Sequence, residues 1–339
     1  MKSVFCTTAS ISQDSGGGIV SYHELEALKA ISNVEFTLTR TDVLPKVYAA
    51  FDIPFLSDYF SAFKMDNLCV DLAVFNGNPW GMTAKKLKQA KIIVDVPAHN
   101  LEQSIEEFHR LGLQYNYVHM TDPYLWSCYT EHIKLADAVL CPSKMSAEYI
   151  TKKLSLTNKV VVIPHGCVLP SKTKPVPAIF TVGHLGVNGP DKGQIYLVKA
   201  WNNLQLQNSM ILLAGYGTEH WGGLGHVENV CSVYDQCSVY VQPSVTEGFG
   251  IGVLEALSYA RPVIVTEGCG ASELVEDGKD GFVVPIRNTQ AIGEKIQYFK
   301  DNPCEIERMG KNARNKAQQY DWKIIENKYV ELFKEVTNT

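Results

Sequence analysis

Residues 238–266 constrain the fold of this chain more than any other stretch. A short apolar run at 238–241 ends before a proline, and apolar residues then recur at helical spacing over 251–260. Another proline stops this helix, and the apolar run 263–265 follows. Strand, helix and strand in this order are typical of a βαβ unit, whose two strands lie parallel in one sheet. The stretch therefore predicts an α/β fold with a doubly wound parallel sheet.

Three spaced glycines lie at the turn from the first strand to the helix, at Gly248, Gly250 and Gly252. Small residues there let an anion approach the free amides at the helix start, where the helix dipole also favours negative charge. Glu247 precedes the helix and Glu255 lies one to two turns into it. Their carboxylates could accept hydrogen bonds from hydroxyls on either side of the anion. A phosphate between two hydroxyl-bearing groups describes a nucleotide-sugar.

These two glutamates have seven residues between them, inside P-S-x-x-E-G-F-G-x-x-x-L-E-A-L-x-x-x-x-P-V-I. This pattern resembles the signature of glycosyltransferase family 4, within the glycosyl transferases group 1. The resemblance implies the GT-B fold, in which two Rossmann-like, doubly wound parallel-sheet domains face each other across a cleft. It also implies a retaining reaction. The alternative is an ordinary βαβ unit in which Glu255 is a solvated helix residue.

Length and composition are those of a globular protein. The 339 residues suffice for two domains, and the net charge of −5 gives no reason to expect a nucleic-acid partner. Nine cysteines without a C-x-x-C pair suit free thiols in a reducing cytosol. No apolar run reaches membrane-spanning length, so we expect a cytoplasmic protein with at most peripheral membrane contact.

In the first half of the chain, Gly17 and Gly18 precede a predicted helix over 19–31. This helix is similar to the first helix of family 4 enzymes, which implies that the two glycines approach the donor. His99 follows the predicted strand 92–96, at the sheet edge where α/β proteins bind ligands. The resemblance makes His99 the residue that contacts the donor sugar. The alternatives are a surface turn for the glycines and a structural role for the histidine.

A proline-rich stretch after residue 163 marks a linker. We therefore expect an acceptor-side domain over 1–168, with the helix 320–339 packing back on it, and a nucleotide-sugar domain over 169–319. The family has G-R-L followed by K-G at the start of its second domain, and here His184 stands in place of the arginine. Because histidine is only partly protonated at neutral pH, Lys192 is expected to carry most of the positive charge facing the diphosphate.

The resemblance assigns Glu247, His99 and Lys192 to catalysis. It assigns donor binding to Gly17, Gly18, Gly183, His184, Lys192, Gly215, Glu247, Gly248, Phe249, Gly250, Ile251, Gly252 and Glu255. Within this set, Glu247 is expected to bind the sugar hydroxyls and Glu255 the ribose hydroxyls. No D-x-D occurs in the chain, so neither a metal nor another obligatory cofactor is expected.

The predicted activity is that of a hexosyltransferase-type enzyme. It would transfer a sugar from a UDP- or GDP-sugar to a glycan, a lipid-linked acceptor or a small molecule, with retention of configuration. One alternative keeps the architecture but changes the chemistry, to a nucleotide-sugar epimerase or a sugar phosphorylase. The other is a nucleotide-sugar-binding protein that has lost its activity, and His184 is the residue that argues for it.

Overall fold

Two parallel β-sheets organise the protein in the computed structural model, which describes residues 1–7, 11, 16–39, 68–77, 80–87, 89–115, 123–157 and 159–338. The strands are β1 (Lys2–Thr7), β2 (Asn33–Thr39), β3 (Leu72–Asn76), β4 (Lys91–Asp95), β5 (Ala138–Cys141), β6 (Lys159–Val162), β7 (Phe180–Leu185), β8 (Ser209–Ala214), β9 (Val239–Gln242), β10 (Val263–Thr266) and β11 (Gly281–Val284). The helices are α1 (Gly16–Lys29), α2 (Gly81–Lys86), α3 (Leu101–Arg110), α4 (Pro123–Leu135), α5 (Lys144–Leu154), α6 (Gln194–Leu204), α7 (Cys231–Gln236), α8 (Ile251–Ser258), α9 (Thr289–Asp301), α10 (Pro303–Ala317) and α11 (Trp322–Thr337).

The chain divides into two compact units. The first unit contains Met1–Ala98, Tyr115–His165 and Trp322–Thr339, and the second contains His99–Gln114 and Gly166–Asp321. Helix α3 therefore groups with the second unit, although it follows β4 of the first sheet in the sequence. Helix α11 groups with the first unit and packs on α1. None of the helices in the described ranges is both long and apolar enough to cross a bilayer.

The sheet of the first unit has the strand order β2-β1-β3-β4-β5-β6, and all its neighbouring strands are parallel. Its central strands are continuous apolar runs, as expected for a parallel sheet that is covered on both faces. Every residue of β3 and β5 is buried. Helix α1 begins three residues before the predicted start at 19. Gly17 and Gly18 consequently lie in its first turn, where the N–H groups need no intrahelical acceptor.

A buried polar cluster lies at the carboxyl ends of β3 and β4. The Asn76 side-chain amide donates hydrogen bonds to Glu24 Oε2 at 2.7 Å and to Asp95 Oδ2 at 3.0 Å. Glu24 is 0% exposed and Asp95 2%. Burial raises the pKa of both carboxyl groups, that of Asp95 to about 7 and that of Glu24 well above its usual range, where the charge of Asp95 adds to the effect. Both shifts favour a protonated carboxyl group in the folded protein.

The sheet of the second unit has the strand order β11-β10-β9-β7-β8 and is also parallel. The direction of winding reverses between β7 and β9. In sheets of this kind, ligands bind outside the carboxyl ends of the strands at the reversal point. The loops that start there are 186–193 after β7 and 243–250 after β9. The predicted class of two doubly wound parallel-sheet units is thus confirmed, and the second sheet reverses its winding between β7 and β9.

Gly193 brings these two loops together. It has a φ of +69°, and a Cβ at this position would lie 2.0 Å from the carbonyl oxygen of Pro243. Only glycine fits such a conformation at such a distance. The backbone amides of Val245 and Thr246 then donate to the carbonyl of Asp191, at 2.8 and 3.3 Å. Lys192 lies between Asp191 and Gly193 in the chain. It is consequently held against the loop that carries Glu247.

Candidate functional site

Lys192 and Glu247 are in direct contact at the reversal point of the second sheet. The Lys192 ammonium donates a hydrogen bond to Glu247 Oε2, and the two side chains are 30% and 22% exposed. Burial alone would lower the pKa of Lys192, but the carboxylates of Glu247 and Asp191 more than offset it, so that the pKa is raised. The site therefore contains a permanent cation that is already paired with a carboxylate.

The backbone of Glu247 is fixed by the loop that follows β10. Its N–H donates to the carbonyl of Gly268 at 2.9 Å, and its carbonyl accepts from the amide of Gly270 at 3.0 Å. Phe249 is buried, and its carbonyl accepts from the amide of Ala271 at 2.6 Å. These bonds anchor the loop after β9 to the loop after β10, so the Glu247 carboxylate projects from a rigid support.

Helix α8 begins directly after this loop. Gly250 precedes the helix with a φ of +89°, and no side chain caps the first turn. The first amides of a helix have no intrahelical acceptor and form the positive end of the helix dipole, so Ile251 and Gly252 can offer N–H groups to an anion. Gly250 and Gly252 also allow neighbouring side chains to pack closely against the backbone. A Cβ at Gly250 would lie 2.4 Å from Cys269 Sγ, and a Cβ at Gly252 would lie 2.4 Å from the Tyr240 hydroxyl oxygen. Gly248, two residues before Gly250, is buried.

Glu255 is oriented by a buried tyrosine. The Tyr234 hydroxyl donates to Glu255 Oε2 at 2.6 Å, and Tyr234 is 1% exposed. Burial raises the pKa of Glu255, and the bond from Tyr234 partly counteracts this. Sequence analysis did not identify Tyr234 as a partner of Glu255, because the two residues lie 21 positions apart and on different helices.

His184 is a buried structural residue and not a cation. It is 0% exposed, and burial lowers its pKa to about 4. Its Nδ1–H donates to the carbonyl of Val241 at 2.9 Å, while its Nε2 accepts from the Gln194 side-chain amide at 3.2 Å. The ring is therefore neutral at pH 7, in contrast to the partial protonation expected from the sequence. Of His184 and Lys192, the lysine supplies the positive charge.

His99 lies with Lys192 and Glu247 in the second unit. The imidazole is half-buried, and its pKa is lowered, chiefly by burial; the nearby charges of Asp191 and Glu247 raise it and that of Lys192 lowers it. The next residue, Asn100, caps α3 by accepting from the amide of Gln103 at 3.0 Å. The structure thus brings the three predicted catalytic residues together in one unit.

The other glycines predicted to bind the donor lie away from the turn before α8. A Cβ at Gly183 would lie 2.7 Å from the Cβ of Cys237, so this glycine lets β7 pack closely on the end of α7. Gly215 has a φ of +117°, and its Cβ would lie 2.2 Å from the carbonyl oxygen of Gly186, where the loops after β7 and β8 cross. Gly17 and Gly18 lie in α1 of the first unit. Across the described parts of the chain, no three His, Cys, Asp or Glu side chains cluster in a way that could hold a metal ion.

Comparison with known proteins places these residues in a recognised domain. Residues 172–316 match the family model described as Glycosyl transferases group 1, which covers Lys192, Glu247 and Glu255. An N,N'-diacetylbacillosaminyl-diphospho-undecaprenol alpha-1,3-N-acetylgalactosaminyltransferase of Campylobacter jejuni is 30% identical over 120 residues, which are 35% of this chain and 31% of the relative. An uncharacterised glycosyltransferase of Methanocaldococcus jannaschii is 27% identical over 208 residues, or 55% and 56% of the two chains. The chain thus spans less than two thirds of either relative.

Solved structures match over the whole length. Sucrose-phosphate synthase of Thermosynechococcus elongatus superposes with a TM-score of 0.79 at 17% identity and covers 100% of both chains. The Anabaena protein HepE, solved in complex with UDP, gives a TM-score of 0.68 at 16% identity and covers 99% of this chain and 100% of its own. The fold is therefore GT-B, as predicted, and residues 172–316 match the group 1 glycosyl transferase model.

Proposed function

We propose that this protein is a retaining family 4 glycosyltransferase, which transfers a sugar from a UDP- or GDP-sugar to an acceptor hydroxyl. The contact between Lys192 and Glu247, at the reversal point of a parallel sheet, carries this proposal. A cation beside the free N-terminus of α8 suits a diphosphate, and a carboxylate next to the cation suits the hydroxyls of the sugar attached to it. The group 1 domain covers both residues and supports this reading.

The reaction would place growing charge on the leaving nucleoside diphosphate. As the bond between the anomeric carbon and the phosphate oxygen breaks, that oxygen gains negative charge. Lys192 and the first amides of α8 would stabilise it, and such preorganised donors are worth about 3–4 kcal/mol each in known enzymes. The acceptor oxygen would form the new bond to the anomeric carbon on the same face, and its proton would pass to the leaving phosphate. Configuration is then retained.

The other residues would orient the donor. Glu247 would bind the sugar hydroxyls, His99 would contact the same sugar, and Glu255 would bind the ribose hydroxyls from a position fixed by Tyr234. No metal is required in this scheme, since Lys192 and the helix amides provide the positive field. Activity should therefore persist in the presence of a chelator.

The names of the relatives favour a glycan, a lipid-linked or a small-molecule acceptor. The Campylobacter relative is named for a diphospho-undecaprenol acceptor, and relatives from two Streptomyces species are named D-inositol 3-phosphate glycosyltransferases. Such acceptors would present hydroxyl groups to the anomeric carbon of the donor.

A transfer assay tests the proposal. The wild type is incubated with UDP- and GDP-sugars and a panel of these acceptors, with and without EDTA. Released nucleoside diphosphate is then quantified, and the anomeric configuration of the product is read by NMR. We expect release that depends on both acceptor and Glu247, and a product with the configuration of the donor. Product with the opposite configuration, or full activity in Glu247→Ala, would contradict the proposal.

A second candidate is a nucleotide-sugar-binding protein without turnover. The neutral His184 favours it, because the site has one cation fewer than the family pattern. The same assay separates the two functions, since this candidate predicts donor binding with no product on any acceptor. Sugar exchange or epimerisation without an acceptor would instead point to an epimerase or phosphorylase with this architecture.

A further inference from the structure

Glu107, in the second half of α3, is a buried carboxylate that accepts hydrogen bonds from three side chains. Its side chain is 0% exposed. The Tyr196 hydroxyl donates to its Oε1 at 2.5 Å, and Arg287 Nε donates to its Oε2 at 2.7 Å. Arg110 adds bonds to both oxygens, at 2.8 and 3.0 Å. We call these four residues the Glu107 cluster.

The Glu107 cluster ties α3 to distant parts of the second unit. Tyr196 lies on α6, and Arg287 lies between β11 and α9, 180 positions from Glu107. A charge as deeply buried as that of Glu107 is left without compensation when its partner is removed, so these bonds resist separation. Only a few such contacts therefore suffice to fix the helix.

Arg287 occupies a position that its backbone disfavours. Its φ is +59°, in the left-handed region where glycine and asparagine are usual, so the backbone is strained here. The position precedes Asn288, which caps α9 by accepting from the amide of Ala291 at 2.9 Å. An arginine in this strained place is explained by its guanidinium, which also donates to Glu106 at 3.1 Å.

The other end of α3 reaches the candidate site. The backbone amide of Asn100, at the helix start, donates to the Thr246 hydroxyl at 2.9 Å, next to Glu247. Helix α3 also contacts the turn Pro190–Lys192. His99 directly precedes this end of the helix. With a rise of 1.5 Å per residue, Glu107 lies about 10 Å along the helix from Asn100, so the helix is fixed at both ends.

We propose that Glu107 and Arg287 are positioning residues: by fastening α3 to the second unit, they hold His99 beside Lys192 and Glu247. The effect of this positioning on catalysis rests on the proposed function, but the positioning itself does not. A displacement of about 1 Å in an active site can cost about 100-fold in rate. Loss of the Glu107–Arg287 bond should therefore lower kcat by about 10- to 100-fold, while nucleoside diphosphate affinity changes less than threefold.

The first test needs no substrate. Hydrogen exchange of the amides in 101–110 and the NMR titration of His99 are compared for the wild type, Glu107→Gln and Arg287→Met. Tyr196→Phe removes a single hydrogen bond and serves as a milder variant where the others unfold. Glu106→Gln is the matched control, because Glu106 is 62% exposed and bonds to the same arginine. Faster exchange and a His99 pKa closer to its ordinary value are expected in the cluster variants alone. Unchanged exchange and titration would overturn the proposal.

The second test is a double-mutant cycle on kcat with His99→Ala. If the Glu107 cluster acts through His99, Arg287→Met should add little to the loss already caused by His99→Ala. Fully additive losses would show that the cluster acts by another route. If the wild type transfers no sugar, the proposed function fails, and the exchange and titration data still decide whether the cluster positions His99.

Discussion

The contact between Lys192 and Glu247 predicts two opposite effects for Glu247→Gln. In the free protein the Lys192 ammonium is bound to the carboxylate, and an incoming diphosphate must compete for it. Glutamine preserves the size of the side chain but removes its charge, so Lys192 becomes available to phosphate. Glu247→Gln should therefore bind UDP or GDP more tightly than the wild type does, while sugar transfer is lost.

The expected gain in nucleoside diphosphate affinity depends on how exposed the Lys192–Glu247 ion pair is. Exposed ion pairs contribute about 0.2–1 kcal/mol, and hydrogen bonds to charged groups about 1.5–3 kcal/mol. With side chains 30% and 22% exposed, the Lys192–Glu247 pair lies between these cases, at about 1–2 kcal/mol. That range corresponds to an affinity for the nucleoside diphosphate about 5- to 30-fold higher. The same range bounds the loss of folding stability, so the variant should remain folded.

Isothermal titration calorimetry with UDP and GDP measures this effect. The control is Glu307→Gln, which removes the same charge from an exposed position on α10. The control should bind as the wild type does, and Glu247→Gln should bind the nucleoside diphosphate more tightly. The intact donor, whose sugar needs the carboxylate, should bind less tightly to Glu247→Gln. A tenfold loss of diphosphate affinity in this variant would refute the competition between carboxylate and phosphate.

Three further substitutions test other parts of the structure. Tyr234→Phe should raise the KM for the donor several-fold and leave folding intact, since only the bond that orients Glu255 is lost; an unchanged KM would contradict that role. Asp95→Asn should flatten the fall in stability as pH rises from about 4 to about 7, measured by urea unfolding. The pKa values of Glu24 and Asp95 are raised in the folded protein, so the stability that this pair contributes is present at low pH and lost as pH rises through those values. If the stability of Asp95→Asn fell with pH as steeply as that of the wild type, this explanation would be wrong. Gly193→Ala should lower the thermal midpoint, because its Cβ would meet a backbone carbonyl at 2.0 Å, and a wild-type midpoint would show that the loop adapts.

The sequence predicts what depends on local pattern. Continuous apolar runs such as β9 and β10 indicate buried parallel strands, and the structure has them. Gly250 before α8 and Gly193 after Lys192 are also local signals. Both glycines adopt the left-handed backbone conformation that their turns require. The family resemblance assigns Lys192 and Glu247 to one site, and the structure brings their side chains into contact.

Features that depend on long-range packing are not readable from the sequence. The bond between Glu107 and Arg287 joins residues 180 positions apart, and neither residue belongs to a motif. The neutrality of His184 results from complete burial and two hydrogen-bond partners, neither of which the G-H-L tripeptide reveals. Similarly, the grouping of α3 with the second unit is determined by side-chain contacts, and its place after β4 gives no indication of it.

Nucleotide-dependent thermal stabilisation of the wild type and of Lys192→Met tests whether Lys192 binds the diphosphate. Both proteins are heated with UDP, GDP and their sugar conjugates, with and without EDTA. A ligand at a hundred times its Kd adds about 2.7 kcal/mol of stability. We expect a base-selective shift in the wild type that survives EDTA and is lost in Lys192→Met. An equal shift in both proteins, or none in the wild type, would contradict a diphosphate site built on Lys192.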